Sequence, residues 1–213
     1  MKLGIDLDGV LFPFDQNFKE YCLKIGEDIP HDAKTETWDF FKSWGMSTER
    51  FIEICNQGVD DQFIFLEADP YPDSVETLRE LHAQGHTIHI VTHRMFGSRS
   101  AHNTFDWLFE HKVPFESVTF SEDKTFVQVD VLIEDNITNC VNSLRSNIMC
   151  FLLKRPWNDE APELLRLNDW DEFVREIEIL DSNSRQLENA AMNMLQYVQR
   201  FNPELLEVVN KTG

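Results

Sequence analysis

Five polar side chains in this sequence have types and spacing that are typical of a catalytic site. Asp6 and Asp8 directly follow the first apolar run, and Thr92, Lys124 and Asp135 follow later runs. A carboxylate can attack phosphorus as a nucleophile, and a second carboxylate can carry a proton to and from the reacting groups. The set therefore indicates phosphoryl transfer.

Each of the five residues has a distinct task in such a reaction. Asp6 and Asp135 can bind Mg²⁺, which accepts one or two carboxylates and completes its shell with water and phosphate oxygens. Asp6 is placed to attack phosphorus, and Asp8 could protonate the leaving alkoxide and later activate water. Thr92 and Lys124 would hold the phosphate oxygens, where negative charge develops. We predict Mg²⁺ as cofactor and a small phosphorylated substrate.

The elements that would position these groups alternate between strand and helix. Apolar runs predict strands near residues 3–7, 87–92, 117–120, 129–133 and 148–153, with helical periodicity between most of them. This pattern predicts an α/β fold, with a Rossmann-like parallel sheet of about five strands and helices on both faces. Ligands of such sheets lie beyond the carboxyl ends of the strands, where the five polar residues fall.

Two segments depart from this alternation. Residues 14–66 show helical patterns and no convincing strand, which predicts a helical cap inserted into a core made of residues 1–13 and 67–180. Residues 181–213 are predicted to be a C-terminal helical extension. Its apolar stripe has a heptad-like spacing and consists of Leu187, Ala191, Met194, Val198 and Phe201. That stripe could pack back on the core or form a homo-oligomer with a partner helix.

Composition narrows the partners and the location. The chain has 38 Asp and Glu against 19 Lys and Arg, and no basic run, which argues against a nucleic-acid polymer as ligand. No apolar run approaches the roughly 20 residues that cross a bilayer, so we expect no membrane association. The four cysteines lack CxxC spacing and a disulfide framework, which favours a cytoplasmic location.

The sequence resembles a known superfamily. The segments GIDLDGVL, VTHR and LIEDN, together with Lys124, are similar to the four motifs of the haloacid dehalogenase (HAD) phosphohydrolases. Within that superfamily, the Trp38-Asp39 pair and the RPWN segment at residues 155–158 resemble the 5′(3′)-deoxyribonucleotidase group. The resemblance covers roughly residues 1–180. It implies Mg²⁺-dependent hydrolysis of (deoxy)nucleoside monophosphates through an aspartyl-phosphate.

The resemblance also implies roles for individual residues. Asp6 would be the nucleophile and a metal ligand, and Asp8 the acid and base, with its backbone carbonyl also on the metal. Asp135 would be the third metal ligand, with Glu134 behind it. One departure is Asn136, where the nucleotidases more often have a basic residue, and this bears on substrate selectivity more than on catalysis.

Other residues are candidates for contact with the substrate. His93 could reach the phosphate from the end of the second strand. Phe14 lies eight residues beyond Asp6, where the resembling nucleotidases place an aromatic ring against the base. Trp38 and Phe41 belong to the aromatic-rich cap and are candidates for the same contact, although aromatic residues are most often core.

Three other functions compete with a nucleotidase. A HAD phosphatase for another small phosphate ester would need the same core residues. A receiver-type phospho-acceptor also uses Asp, Thr and Lys, but it has its acidic pair on the first strand and its phosphorylated Asp later. Here the order is reversed, and Asp8 favours turnover. A non-catalytic HAD-like scaffold would not need the full set.

Overall fold

The computed structural model describes residues 1–30, 32–182 and 187–201. Its parallel sheet is made of β1 (Lys2–Ile5), β2 (Thr87–Thr92), β3 (Ser117–Phe120), β4 (Val131–Glu134), β5 (Met149–Leu153) and β6 (Arg166–Leu167). The strand order is β3-β2-β1-β4-β5-β6. The sheet therefore grows outward from β1 in both directions, which is the pattern of a Rossmann-like fold.

The described residues form eight α-helices. These are α1 (Phe14–Ile25), α2 (Phe40–Ser43), α3 (Thr48–Asp60), α4 (Ser74–Ala83), α5 (Ser100–Glu110), α6 (Ile137–Arg145), α7 (Trp170–Ser182) and α8 (Leu187–Phe201). Right-handed crossovers that lead outward in opposite directions place their helices on opposite faces of a sheet. In agreement, α4 contacts α7 and α6 contacts α8. None of these helices is long and apolar enough to cross a bilayer.

The central strand β1 determines where the polar residues meet. Leu3 pairs with Ile88 of β2 on one side and with Val131 of β4 on the other. Leu3 and Ile5 are fully buried, as expected for a parallel strand covered on both faces. Because β1, β2 and β4 run in the same direction, their carboxyl ends lie at one edge, and residues that follow them are brought together.

Helices α1, α2 and α3 lie between β1 and α4, and they have a hydrophobic cluster separate from that of the sheet. Ser47 begins α3 by accepting a hydrogen bond from the N–H of Arg50 at 3.2 Å. Half of the buried residues in this cluster are aromatic, and its members are Phe18, Tyr21, Cys22, Phe40, Phe41, Trp44, Met46, Ile54, Cys55, Val59, Ile64 and Phe65.

A buried amide and an exposed carboxylate join this helical segment to α5 and to the residues just before it. Asn103 of α5 donates from Nδ2 to the carbonyls of Val59 and Ile64, at 2.8 and 3.1 Å. At the outer end, Oδ1 of Asp60 accepts hydrogen bonds from the backbone N–H and the hydroxyl of Ser98, at 2.7 and 2.8 Å. The C-terminal part of α3 is therefore tied to the segment that leads from β2 into α5.

The C-terminal helix α8 packs back on the core. Ala191 and Val198 are fully buried in the main hydrophobic cluster, and Met194 packs against it. The neighbours of α8 are α6 and β5. Of the two alternatives for the heptad-like stripe, the structure therefore favours packing on the same chain. The side chains of Leu187 and Phe201, and residues 183–186 and 202–213, lie outside the described part.

The structure adds elements that the sequence did not predict. The sheet has six strands rather than about five, because the two-residue β6 extends its edge and leads into α7. A strand of two residues has no alternation that a pattern search can detect. At the start of α4, Asp73 has φ of 65° and makes no capping hydrogen bond through its side chain, although Asp is a residue type that favours helix caps.

Candidate active site

Asp6 lies at the carboxyl end of β1 and is 5% exposed. Its backbone N–H donates to the carbonyl of Ile133 in β4 at 3.1 Å, which holds the end of β1 beside its neighbour. The chain then turns, and the carbonyl of Leu7 accepts hydrogen bonds from the N–H groups of Val10 and Leu11 at 3.1 and 2.8 Å. Asp6 is therefore held on a constrained backbone rather than on a loose loop.

Gly9 is required by this turn for two reasons. Its φ is +79°, a conformation that residues with a Cβ rarely adopt. A Cβ atom there would lie 1.9 Å from Oδ2 of Asp135. The absent side chain therefore lets the turn after β1 approach the carboxylate that follows β4.

Lys124 forms an ion pair with each of two carboxylates. It follows β3 in a short 3₁₀ helix, Lys124–Phe126, and its Nζ lies 2.7 Å from Asp6. It also donates to Oε1 of Glu134. Burial by itself would lower the pKa of Lys124, but the two carboxylates outweigh burial and hold that pKa above its usual value. Lys124 therefore stays cationic beside the predicted nucleophile.

Two of the three predicted metal ligands, Asp6 and Asp135, lie close together and beside Glu134. Carboxylate oxygens of Asp6, Glu134 and Asp135 all lie within 4.8 Å of one another. Burial raises the pKa of Asp6 to about 7, and the Glu134 and Asp8 carboxylates add to that effect while Lys124 opposes it. Burial also raises the pKa of Asp135 well above its usual value. This concentration of buried negative charge favours a cation in the site.

The donor set fits Mg²⁺. The donors are carboxylate oxygens, which hard cations prefer, and neither thiol nor imidazole is part of the group. Oδ1 of Asp135 is buried and has no hydrogen-bond partner among the described residues. Because a buried oxygen normally has a partner, this atom is where a ligand is expected. Asp8 is not part of the group, because its carboxylate binds Arg94 instead.

Glu134 supports the site rather than lining it. Its Oε2 accepts hydrogen bonds from the N–H groups of Asp135 and Asn136, both at 3.1 Å. Its Oε1 binds Lys124 and accepts from Nδ2 of Asn139 at 3.1 Å. Glu134 therefore fixes the loop that carries Asp135, which agrees with the expected place of Glu134 behind the ligand.

Thr92 and His93 end β2 at the same edge. Thr92 is fully buried, and its hydroxyl has no hydrogen-bond partner in the part of the chain that the structure describes. His93 is exposed, and both residues line the same cavity as Asp6 and Lys124. The buried hydroxyl is thus available to a ligand oxygen.

The sequence did not indicate the partner of Asp8. Arg94 is 2% exposed, and its Nε and Nη2 donate to Oδ2 and Oδ1 of Asp8 at 3.0 and 2.9 Å. Arg94 lies two residues after the end of β2, but its partner lies 86 positions away in the chain, so no local pattern connects the two residues. The carboxylate of Asp8 is therefore held by a bidentate ion pair.

One part of a cavity of about 290 Å³, which we call its floor, is lined by Asp6, Asp8, Thr92, His93, Lys124 and Asp135. Its remaining wall is mostly aromatic and contains no Arg. Residues that line the cavity are Asp6, Asp8, Gly9, Phe14, Asp15, Thr35, Trp38, Asp39, Phe40, Phe41, Phe51, Phe65, Thr92, His93, Phe96, Lys124, Asp135, Asn139 and Trp157. A phosphate at the floor would thus have an apolar compartment above it.

All three aromatic residues proposed for substrate contact line this cavity. Phe14 packs against Phe65 and Phe51, with ring centroids 5.9 and 6.4 Å apart. Phe41 is 6% exposed and stacks on Phe51 at 4.2 Å, whereas Trp38 is 55% exposed. Phe14 and Phe41 therefore form a fixed wall, and Trp38 lies at its open side.

The fold and this site together define a class, the phosphohydrolases of the HAD superfamily. A HAD-superfamily hydrolase of subfamily IA, variant 1, from Geobacter sulfurreducens has the same fold, with a TM-score of 0.54, 14% identity, and coverage of 82% of this chain and 94% of that chain. A Bacillus subtilis HAD-hydrolase structure bound to magnesium has a TM-score of 0.53 and 12% identity, over 82% of this chain and 96% of that chain.

The chain belongs to the family described as 5′ nucleotidase, deoxy (Pyrimidine), cytosolic type C protein, whose model matches residues 1–186. It is 25% identical over 175 residues to a Chlorobaculum tepidum protein named among the 5′(3′)-deoxyribonucleotidases, which covers 80% of this chain and 86% of that protein. It is also 25% identical over 142 residues to the mitochondrial 5′(3′)-deoxyribonucleotidase of Mus musculus, over 63% and 64%. The protein is thus a phosphoric monoester hydrolase of the nucleotidase type.

Proposed function

We propose that this protein hydrolyses (deoxy)nucleoside monophosphates through an aspartyl-phosphate on Asp6, with Mg²⁺ as cofactor. One observation carries the proposal: the cavity has Asp6, Lys124 and a hydroxyl without a partner at its floor, and aromatic rings above them. The floor suits a phosphoryl group, and the aromatic wall suits a leaving group with a planar ring that can stack on it.

The proposed reaction has two displacements at phosphorus, the first by Asp6 and the second by water. A carboxylate oxygen of Asp6 attacks phosphorus, the ester P–O bond breaks, and the leaving alkoxide takes a proton from Asp8. Asp8 then removes a proton from water as the water oxygen attacks the phosphorus of the aspartyl-phosphate. Inorganic phosphate leaves, and the Asp6 carboxylate is restored.

Mg²⁺ would be held by Asp6, Asp135 and the backbone carbonyl of Asp8. When bound, it supplies positive charge that offsets repulsion between the Asp6 carboxylate and an anionic phosphate. Thr92, His93 and Lys124 would bind the phosphate oxygens. Lys124 is supported in this role by its position beside Asp6, and Thr92 by its buried hydroxyl.

Leaving-group selectivity would come from the segment above the floor. We assign residues 14–66 as a cap on a core of residues 1–13 and 67–180, with 181–213 as an extension. The separate hydrophobic cluster of α1–α3 supports this division. Phe14, Trp38 and Phe41 would contact the nucleobase, and their place in the cavity wall supports that role.

The proposal also includes a cytoplasmic location and a homo-oligomer. A cytoplasmic location is supported by four free, buried cysteines. A homo-oligomer through α8 would have to use the outward face of that helix, where Met192 is 52% exposed, because Ala191 and Val198 are buried within the chain.

A phosphate-release screen tests the function. Deoxyribonucleotides, ribonucleotides and sugar phosphates are compared at equal concentration, with Mg²⁺ and with a chelator. We expect the highest kcat/KM for a deoxynucleoside monophosphate and no turnover with the chelator. A preference for a sugar phosphate over every nucleotide would replace the substrate class, and turnover in the chelator would contradict the Mg²⁺ requirement.

A further inference from the structure

Arg94 is a buried cation whose guanidinium donates hydrogen bonds to Asp8 and Thr104. Its side chain is fully buried, and Nε and Nη2 bind the two carboxylate oxygens of Asp8. Nη1 donates to the hydroxyl of Thr104 at 3.3 Å, and that hydroxyl donates to the carbonyl of Ser100 at 2.8 Å. The guanidinium is therefore anchored to α5 as well as to Asp8.

Aromatic rings hold the guanidinium on two sides. Its central carbon lies 4.6 Å from the ring centroid of Phe12 and 4.4 Å from that of Phe65. Cation–π contacts of this kind favour a planar cation and restrict its orientation. Because burial of an unpaired charge is costly, the rings and the ion pair together explain why Arg94 can lie inside the protein.

Asp8 depends on Arg94 for its direction. The side chain of Asp8 is 28% exposed and lies on the turn after β1, outside the group of carboxylates formed by Asp6, Glu134 and Asp135. Two parallel hydrogen bonds fix the plane of a carboxylate, which a single ammonium group cannot do. Proton transfer to a leaving group requires such alignment, because it proceeds only over hydrogen-bond distances.

We propose that Arg94 is a positioning residue that aligns the Asp8 carboxylate for the two proton transfers. This inference rests on the proposed phosphatase function, in which Asp8 is the acid and base. Arg94 does not line the cavity, and its side-chain hydrogen bonds go to Asp8 and Thr104 rather than to the predicted metal ligands Asp6 and Asp135. Among the groups proposed to take part in the chemistry, Asp8 is the one that Arg94 contacts.

A double-mutant cycle on Asp8 and Arg94 tests this role. Arg94→Ala should lower kcat/KM for a deoxynucleoside monophosphate by about 10- to 100-fold, part of the roughly 10²–10⁴-fold that a positioned proton donor supplies. The same change in the Asp8→Asn background should cost less than about threefold, since residues that act as a unit are not additive. Equal losses in both backgrounds would overturn the proposal.

Comparing substrates with different leaving groups provides a second test, because a purely structural role of Arg94 would lower kcat/KM equally for all of them. p-Nitrophenolate departs without needing a proton, so Arg94→Ala should reduce kcat/KM for p-nitrophenyl phosphate much less than for a nucleotide. The inhibition constant of inorganic phosphate should stay the same. Loss of the same size on both substrates would contradict the positioning role.

Two further variants and a chemical rescue separate alignment from folding. Arg94→Lys keeps the charge but not the two parallel bonds, so its loss should lie between those of wild type and Arg94→Ala. It also replaces Arg94→Ala in the cycle if that protein does not fold. Arg99→Ala is the control. Arg99 lies five positions after Arg94 and donates a hydrogen bond to Gln62 rather than to Asp8, so this variant should leave the rate unchanged. Millimolar guanidinium should restore part of the activity of Arg94→Ala, whereas equimolar sodium should not.

Failure of this inference can be told from failure of the proposed function. If the wild type hydrolyses no phosphate ester, the proposed function is wrong and Arg94 has no proton transfer to assist. If the wild type is active, Asp8→Asn is impaired and the two losses are additive, only the role of Arg94 is overturned. If Arg94→Lys matches wild type on nucleotides, alignment by two bonds is likewise excluded.

Discussion

The indole N–H of Trp157 donates a 2.9 Å hydrogen bond to Oδ2 of Asp135, and Oδ1 of the same carboxylate is buried without a partner among the described residues. The bond therefore determines which oxygen of Asp135 faces the site. Asn158, the next residue, donates from Nδ2 to the backbone carbonyl of Asp135 at 3.0 Å. The segment after β5 thus orients both the side chain and the backbone of the predicted metal ligand.

Trp157→Phe should weaken Mg²⁺ binding by about 10- to 100-fold, because partners that orient metal ligands typically contribute this much to affinity. Calorimetric titration of the metal measures it without any substrate. Trp170→Phe is the matched control, since its indole N–H has no hydrogen-bond partner in the described part of the chain. Unchanged Mg²⁺ affinity in Trp157→Phe would show that the bond does not orient the ligand.

Asp6→Asn should abolish phosphate release and keep the fold. The amide has nearly the shape of the carboxyl group but cannot act as nucleophile. Burial raises the pKa of Asp6 to about 7, so a neutral side chain should not lower the midpoint of thermal unfolding. Asp106→Asn, on the exposed face of α5, is the control and should retain activity. Turnover by Asp6→Asn at the wild-type rate would exclude an aspartyl-phosphate on Asp6.

Asp8→Asn and Asp135→Asn should respond differently to added metal. Loss of a proton donor lowers the rate by roughly 10²–10⁴-fold, and no Mg²⁺ concentration should restore it. Loss of the Asp135 charge weakens metal binding, so a high Mg²⁺ concentration should recover part of the rate. Rates are measured across a Mg²⁺ series for both variants. Full recovery of Asp8→Asn would show that Asp8 acts only as a ligand.

Phe14→Ala should change selectivity more than the chemical step. Stacking on an aromatic ring contributes about 1–3 kcal/mol per base in single-strand binding proteins, so kcat/KM for deoxynucleoside monophosphates should fall about tenfold or more. Hydrolysis of p-nitrophenyl phosphate should be nearly unchanged. Phe109→Ala, at a phenylalanine that is 66% exposed on α5, is the control. An equal loss on both substrates would make Phe14 merely structural.

Stability should fall as pH falls through the usual pKa of histidine because of His86. Burial lowers the pKa of His86 from 6.5, and the N-terminal ammonium adds to this. The unfolded chain therefore binds more protons than the folded one just below 6.5, so acid favours unfolding. Urea midpoints at pH 7.5 and 5.5 measure the loss, which His86→Gln should reduce. The same pH dependence in both proteins would exclude His86 as its source.

Much of the site could be predicted because it depends on strand direction. Asp6, Thr92 and Asp135 each follow a buried parallel strand, and parallel strands end at one edge, so their meeting follows from the alternation of elements. Helix α1 (Phe14–Ile25) is bounded by Pro13 and Gly26, whose backbone preferences are local, and it lies at the start of the segment whose pattern predicts helices.

Other features depend on contacts that no local pattern contains. The pair of Asp8 and Arg94 joins residues 86 positions apart, and the two rings that hold Arg94 come from separate segments. Strand β6 exists only because β5 offers it an edge. Asp73 has a left-handed backbone although its residue type favours a helix cap, so tertiary context overrides the local preference.

The separate hydrophobic cluster of α1–α3 has a consequence for how such an enzyme can change. Substitutions in Phe41 or Trp38 alter the wall of the cavity while the buried residues of the sheet keep their neighbours. A new leaving group can thus be accommodated without disturbing the carboxylates proposed to perform the reaction. A mutant library confined to the residues of this segment that line the cavity should therefore yield variants with altered substrate preference and retained turnover.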